Sequence, residues 1–337
     1  MTPLSIGIFG AGAIGGYVGG RLTDSGVDVT MVGREALASE IAAYGMTISH
    51  YDLPILTVPA GRIDYAADPS ALSHCDIIFV TVKSTASAQA AAILAPIAKP
   101  DAIIISLQNG IGNPQIIRAA MPRHIVHGAM IPNNVVRGPK GHFHMGTEGD
   151  IIMQDAPHMD RLAQIMNGAG LSARLSADMT GVAWGKLLLN LNNAINTLSD
   201  LTLREEMSGR AYRKVLALSI DETLSVLKAA NITPAQIGKA APDKLSKLLR
   251  LPNFLYQPIM NRILKIDAKA RSSMWEDLQR GRPTEIDFIN GAVVKLGKSL
   301  RHPVPINSQI TTLIHEAFEN GRSPRLSGKI LLNLLGK

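Results

Sequence analysis

Residues 5–16 read Ser5-Ile6-Gly7-Ile8-Phe9-Gly10-Ala11-Gly12-Ala13-Ile14-Gly15-Gly16, and this stretch decides the fold of the first half of the chain. Ser5–Phe9 is continuously apolar, as a strand covered on both faces tends to be. A glycine-rich turn follows, and a helical pattern runs over Ile14–Ser25. Each glycine has a mechanical use. Gly10 permits the tight turn, Gly12 lets the backbone approach a pyrophosphate, and Gly15 lets the helix pack closely on the strand. The backbone from Gly10 through Ala11, Gly12, Ala13 and Ile14 to Gly15 then offers N–H groups to phosphate at the helix start. The motif alone is weak evidence. Its setting after a strand and before a helix that ends at Gly26, with a second strand next, makes it specific.

Working outward, strands are expected at Val27–Val32, Asp76–Val82, Ala102–Ser106 and Ile125–Ala129. Helices are expected at Glu35–Tyr44, Ser84–Ile97 and Asn113–Ala120. That alternation predicts a Rossmann-type, doubly wound parallel sheet. Met46–Val58 reads as inserted short strands. Phe143–Met145 and Ile151–Gln154 read as a small antiparallel addition, followed by a helix near His158–Gly168 and a last strand near Ser172–Leu175. From Asp178 onward helical periodicity takes over, in segments Thr180–Leu198, Ser208–Ala230, Asp243–Arg250, Tyr256–Lys269, Met274–Arg280, Glu285–Ser299 and Asn307–Asn320. Prolines 234, 242, 252, 258, 283, 303 and 305 are expected between elements. The fold class is therefore α/β plus all-α, with an NADP(H)-binding domain over 1–177 and a helical substrate domain over 178–337.

The tip of the second strand selects the cofactor. An NAD site usually carries an acid there for the ribose 2′-hydroxyl. This chain has Val32-Gly33-Arg34, and Arg34 is placed to pair with a 2′-phosphate, which points to NADPH/NADP+. The competing account is an ordinary solvated loop arginine. Lys83 and Asn109 sit in two further loops at carboxyl ends of strands, where cofactor or substrate binds. Turn chemistry would explain both as well.

Composition narrows the rest. The chain has 337 residues and a net charge of +7, with only 4% aromatics. Its pI is about 9.5 and its mean hydropathy +0.13. The basic residues are scattered and no stacking rings accompany them, which argues against a nucleic-acid reader. No stretch is apolar for the ~18 residues of a membrane span. The single cysteine, Cys75, forbids an internal disulfide, suits a cytoplasmic protein and is expected to pack at a strand edge. No signal-peptide pattern precedes the first strand, and nothing calls for a metal. A homodimer stays open.

The helical half carries an unusual stretch, Trp184 to Asn196, apolar enough for burial yet holding one Lys and four Asn. On a continuous helix Asn190 lies about 40° from Lys186, and Asn193 about 20° on the other side. Thr197 extends that stripe. A polar stripe on an apolar helix implies a cavity or ligand, against the alternative of a solvated face. A second cluster is Ser272-Ser273-Met274 with Pro283-Thr284-Glu285-Ile286-Asp287. Thr284 and Asp287 form a plausible capping box, which leaves Glu285 to face a cleft.

Taken in order, Gly-Ala-Gly-Ala-Ile-Gly-Gly, Val-Lys, Gln-Asn-Gly, Lys-Leu-x-x-Asn, Ser-Ser-Met and Thr-Glu-Ile-Asp-Phe-Ile-Asn-Gly resemble the ketopantoate reductase (2-dehydropantoate 2-reductase) family. The resemblance implies a helical second domain like that of 6-phosphogluconate dehydrogenase and an active site between the domains. It implies NADPH-dependent reduction of 2-dehydropantoate to (R)-pantoate, on the pantothenate and coenzyme A route. It makes Lys186 and Glu285 the catalytic pair and Asn109, Asn190, Asn193 and Ser273 substrate ligands. The cofactor side is Gly10–Gly15, Arg34 and Lys83, with Asn109 shared. Two departures touch the substrate side: Ala194 stands where many relatives have a second Asn, and Gly128–Val136 lacks a Thr-rich stretch. Alternatives are a reductase of another 2-oxo acid, a 3-hydroxy acid dehydrogenase, or an NADP(H)-sensing protein without turnover.

Overall fold

A computed structural model describes residues 4–50, 53–132, 134–146, 149–263 and 270–336. The chain divides into two compact units, Met1–Met179 and Thr180–Lys337.

The first unit runs β1 (Ser5–Phe9), α1 (Ala13–Asp24), β2 (Asp28–Val32), α2 (Glu35–Tyr44), β3 (Met46–His50), β4 (Leu56–Val58), β5 (Asp64–Ala66), β6 (Ile77–Val80), α3 (Ser87–Leu94), β7 (Ile103–Leu107), α4 (Asn113–Ala120) and β8 (Ile125–Met130). It continues with β9 (Val135–Arg137), β10 (His142–Met145), β11 (Ile151–Gln154), α5 (Met159–Gly168) and β12 (Ala173–Ser176). The main sheet has the order β12-β11-β8-β7-β6-β1-β2-β5. Its strands β5, β2, β1, β6, β7 and β8 are mutually parallel, while β11 meets β8 antiparallel. That is the doubly wound order, with its switch point between β1 and β6. Alternate residues feed two separate cores. Ile8, Phe79 and Ile105 join α1 on one face, and Phe9, Ile78, Val80 and Ile104 join α3 and α4 on the other. Hence the apolar runs without polar alternation.

The expected antiparallel addition is corrected. β10 belongs to a second sheet, ordered β4-β3-β10-β9, and β11 belongs to the main sheet. β10 lies parallel to β3. Helix α1 lies between the two sheets, and glycines on two of its faces make that possible. A Cβ on Gly15 would meet Ile8, and one on Gly19 would meet Met31, both in the main sheet. A Cβ on Gly16 would strike Phe143, and one on Gly20 would strike Ile48, both in the second sheet. The spacing of four keeps each pair on one face.

The second unit is α6 (Met179–Asn190), α7 (Asn192–Ser199), α8 (Leu203–Ser208), α9 (Arg210–Ala229), α10 (Pro242–Leu249), α11 (Asn253–Ile263), α12 (Ser273–Gln279), α13 (Asn290–Ser299), α14 (Pro305–Glu319) and α15 (Gly328–Leu334). The 20-residue α9 packs against α7, α8, α10, α13, α14 and α15. Fully buried Arg213 fastens it. Its guanidinium stacks 3.8 Å over the Tyr256 ring and donates to the carbonyls of Leu249 and Leu251 and to Asn253.

Several helix expectations change. The segment 180–198 is two helices that meet at Leu191. The segment 208–230 loses Ser208 to α8, which Thr202 and Glu205 start with a capping box, and extended Gly209 separates it from α9. Pro258 lies inside α11, five residues past its start. Pro242 and Pro305 open α10 and α14, where their missing N–H is no loss. The expected end of the 256–269 helix lies outside the described residues. No helix of the described residues is long and apolar enough to cross a membrane.

Candidate active site

In the first unit the candidate residues meet at the carboxyl edge of the sheet. The amides of Gly10 and Ala11 both donate to the Val32 carbonyl at 2.9 Å, which ties the turn to the tip of β2. Gly10 has φ +92, and a Cβ there would lie 2.5 Å from Val82 Cγ1, so only glycine closes this turn against the loop after β6. Gly12 differs. A Cβ on it would find only the Gly10 carbonyl, at 3.8 Å, so the space before the turn is open. No side chain caps α1 and its first turn holds no acid. The amides of Ala13, Ile14 and Gly15 are thus left for an anion, and the residues present fit a dinucleotide pyrophosphate.

Arg34 is exposed at the N-cap of α2, beyond the tip of β2. Beneath it lies a residue that sequence reasoning missed. The Tyr65 hydroxyl donates to the Ala11 carbonyl at 3.2 Å, and a Cβ on Gly33 would strike that same hydroxyl. Burial pushes the Tyr65 phenol up to about 12, against the pull of the Arg137 and Arg34 charges. Tyr65 therefore stays protonated and holds the turn from below. The glycine at position 33 was the available signal, since nothing else in Val-Gly-Arg requires one.

The loops carrying Lys83 and Asn109 are stitched together. Gln108 Nε2 donates to the Val82 carbonyl at 3.0 Å and to Ser87 Oγ at 2.8 Å. The Asn109 carbonyl accepts from Ser84 Oγ at 2.6 Å and from Asn113 Nδ2 at 2.7 Å. Its backbone is pinned and its half-buried side chain is left for a ligand. Lys83 is half-buried at the start of the 84–86 turn. Cys75 is fully buried just before β6, and burial raises its thiol to about 12, so it is packing and not chemistry.

In the second unit Lys186 and Asn190 share one face of α6, at the spacing of one helical turn. Burial alone lowers the Lys186 ammonium to about 8, from 10.5. Asn190 is buried, and its amide makes no hydrogen bond among the described residues. Leu191 separates the two helices but keeps helical dihedrals, φ −55 and ψ −26, so Asn193 follows α6 across a one-residue interruption of the ladder. The ladder of α6 ends with the Leu191 amide on the Leu187 carbonyl, and α7 begins anew at Asn192. Asn193 is half-buried, and its carbonyl accepts from Ser272 Oγ at 3.2 Å and Thr197 Oγ1 at 2.8 Å. Thr197 is therefore fully buried structure, not the end of a ligand stripe.

Asn196 organises this region. It is fully buried, donates to the Leu201 carbonyl at 2.9 Å and to Glu206 Oε2 at 2.7 Å, and accepts from the Ser272 amide at 2.9 Å. Ser272 caps α12 through the Trp275 amide at 3.1 Å. It thereby leaves Ser273 exposed on the first turn of α12. Glu206 is the other residue that sequence reasoning missed. It is 1% exposed, and burial raises its carboxyl to about 8.

The Thr284–Asp287 capping box is corrected too. Thr284 Oγ1 accepts from the Ile286 amide at 3.1 Å, the helix starts only at Asn290, and Asp287 pairs with His315 Nε2 at 3.0 Å. Glu285 is indeed freed from capping and is buried at the head of the 286–288 turn. The structure thus puts Lys186 and Asn190 on one face of α6 and ties Asn193 to Ser272, the neighbour of Ser273, while Glu285 stands on a separate turn.

A glycine-rich turn at the switch point of a doubly wound sheet, followed by a helical unit with a desolvated lysine, defines a dinucleotide-dependent oxidoreductase. Comparison with known proteins makes the family plain. The ketopantoate reductase PanE/ApbA model matches residues 6–158, and the C-terminal model of the same family matches residues 178–318. This chain belongs to the ketopantoate reductase family and is an NADPH-dependent oxidoreductase. A 2-dehydropantoate 2-reductase from Pyrococcus horikoshii is 29% identical over 92% of this chain and 96% of its own. A PanE/ApbA family ketopantoate reductase from Ralstonia eutropha JMP134 superposes with a TM-score of 0.80 at 27% identity, covering 94% of this chain and 99% of its own. D-mandelate dehydrogenase with NADH and anilino(oxo)acetate shares the fold, with a TM-score of 0.76 at 21% identity over 94% of this chain and 99% of its own.

Proposed function

We infer that this protein reduces the ketone of 2-dehydropantoate to (R)-pantoate, with Lys186 as the proton donor. The observation that carries the assignment is Lys186 itself, desolvated to a pKa of about 8 one helical turn from the unpartnered amide of Asn190. Bound NADPH supplies the hydride. As the carbonyl oxygen gains charge, the Lys186 ammonium stabilises it and then transfers a proton to it. A pKa near the working pH suits that transfer better than the ordinary value near 10.5.

The remaining residues bind and orient. The amides of Ala13, Ile14 and Gly15 hold the pyrophosphate, and Arg34 holds the 2′-phosphate. Lys83 adds positive charge on the cofactor side. Asn109 positions the nicotinamide end against the substrate. Asn190 and Asn193 steady the ammonium and the substrate oxygen. Ser273 donates to the substrate carboxylate, and Glu285 accepts from the substrate hydroxyl. A buried acceptor built to take that hydroxyl discriminates against analogues lacking it. The reaction belongs in the cytoplasm, and the protein acts on a small molecule as a monomer or a homodimer.

One observation favours a second reading, a reductase of another 2-oxo acid. Ala194 is fully buried, so position 194 offers no side chain to a substrate. The other departure, Gly128–Val136, includes Asn133, which lies outside the described residues. NADPH oxidation against a panel of 2-oxo acids, with NADH in parallel, decides between them. Turnover with 2-dehydropantoate far above the other acids is expected. Turnover only with a different 2-oxo acid would establish the second reading.

A further inference from the structure

The first unit contains a cavity of about 420 Å³ whose lining includes Tyr17, Arg21, Leu53, Met145, Ile151 and Leu171. None of these belongs to the glycine-rich turn or to the loops of Lys83 and Asn109. Two of them are energetically odd. Arg21 is 8% exposed, yet its only hydrogen bond among the described residues runs from Nε to the Ala169 carbonyl, at 2.9 Å. Both terminal nitrogens are left over. Tyr17 is 1% exposed, and its hydroxyl makes no hydrogen bond among the described residues. Burial holds that phenol above its ordinary pKa, so it remains an O–H donor. Tyr17 and Arg21 are four residues apart on α1 and face the same way.

The terminal nitrogens of Arg21 open onto the cavity, where their unused N–H groups are available to an acceptor. The fold makes room for the guanidinium deliberately. Gly170 has φ +69, and a Cβ there would strike Arg21 Nη2. The protein thus holds a planar fork of donors and a phenol at the wall of a cavity whose volume lies within the usual range of ligand pockets.

We propose that this cavity is a second small-molecule site, which takes a small aliphatic carboxylate on Arg21 and Tyr17. Guanidinium and carboxylate match in plane and spacing. One cation calls for one negative charge. Asp150 also lines the cavity, and its carboxylate is already held by Ser172 Oγ at 2.6 Å and Arg174 at 3.4 Å. A doubly charged phosphate would meet that carboxylate, and His50, which also lines the cavity, offsets it only when protonated. Leu53, Met145, Ile151 and Leu171 supply an apolar wall for an aliphatic body. The site is independent of the residues assigned above to NADPH and substrate.

The test is calorimetric titration of the whole protein with isovalerate, inorganic phosphate and isobutylamine. Isovalerate should bind in the millimolar range, and the other two should not. Arg21→Met should abolish binding, and Tyr17→Phe should weaken it about tenfold, the worth of a hydrogen bond to a charged group. Ser273→Ala, which alters the proposed substrate site, should leave it unchanged. Tyr17→Phe keeps the ring and its packing, so it carries the test if Arg21→Met does not fold. Absence of isovalerate binding overturns the proposal. So does binding that Ser273→Ala removes and the Arg21 and Tyr17 variants keep. Phosphate binding as tight as isovalerate, and lost in Arg21→Met, overturns the carboxylate assignment.

Discussion

The first unit assembles its candidate site by strand register, and the second assembles its own by buried amides. In the first, the glycine turn, Arg34, Lys83 and Asn109 follow β1, β2, β6 and β7. Those four strands are adjacent in the sheet, so the loops after them are neighbours by topology. In the second, the Asn193 carbonyl and the Asn196 side chain hold Ser272 at the head of α12, and Asn196 also holds Glu206. A sheet edge tolerates local change, because several strands hold each loop. A buried polar network does not, because each lost partner leaves another group unsatisfied.

The largest expected effect tests whether the second unit holds the chemistry at all. Lys186→Ala should lower kcat by about 10²–10⁴, the usual worth of a positioned acid, with NADPH affinity unchanged in a fluorescence titration. Loss of cofactor binding instead would remove the division of labour between the units. Next, Asn196→Ala should cost about 3 kcal/mol in urea unfolding, because it strands the Ser272 amide and the Glu206 carboxyl. It should also raise KM for the 2-oxo acid by displacing Ser273. A change within ordinary surface-mutation noise would show that the amide network is not what holds the helices in place.

Arg34→Ala should erode the preference for NADPH over NADH by about tenfold or more, since a charge-assisted hydrogen bond is worth roughly 1.5–3 kcal/mol. Its turnover at saturating cofactor should hold, which contrasts with Lys186→Ala. An unchanged preference would return Arg34 to the status of a loop arginine. The smallest effect is a pH profile. Reduction needs the ammonium, so kcat/KM for the 2-oxo acid should fall as pH rises through about 8. Oxidation of the product needs the free amine and should rise through the same range. A profile flat to pH 10 would mean that Lys186 keeps its ordinary pKa.

The difference between the units also explains what was legible. Ser5–Phe9 and the alternation after it were readable because a strand covered on both faces has a distinct composition. The glycine turn was readable because its spacing is local. Tyr65 was not, because its role depends on β5 pairing with β2, and three short residues carry no pattern of their own. In the helical unit, Lys186 and Asn190 stood out as polar groups on an apolar helix. What the pattern did not show is the interruption at Leu191, where the ladder of α6 ends although the backbone keeps helical dihedrals. Glu206 went unnoticed because nothing in Arg204-Glu205-Glu206 encodes its burial against Asn196.

By itself the sequence determined the parallel sheet, the dinucleotide turn, the cofactor expected from Arg34 and the polar face of Lys186 and Asn190 on an apolar helix. All of these follow from spacing over a few residues, where backbone geometry leaves little choice. Only the tertiary structure decided which asparagines are scaffold, where the helix breaks, that α1 lies between two sheets, and that Arg21 faces a cavity with donors to spare. Those depend on which distant residues share one small volume, and burial there sets both the cost of a polar group and its pKa.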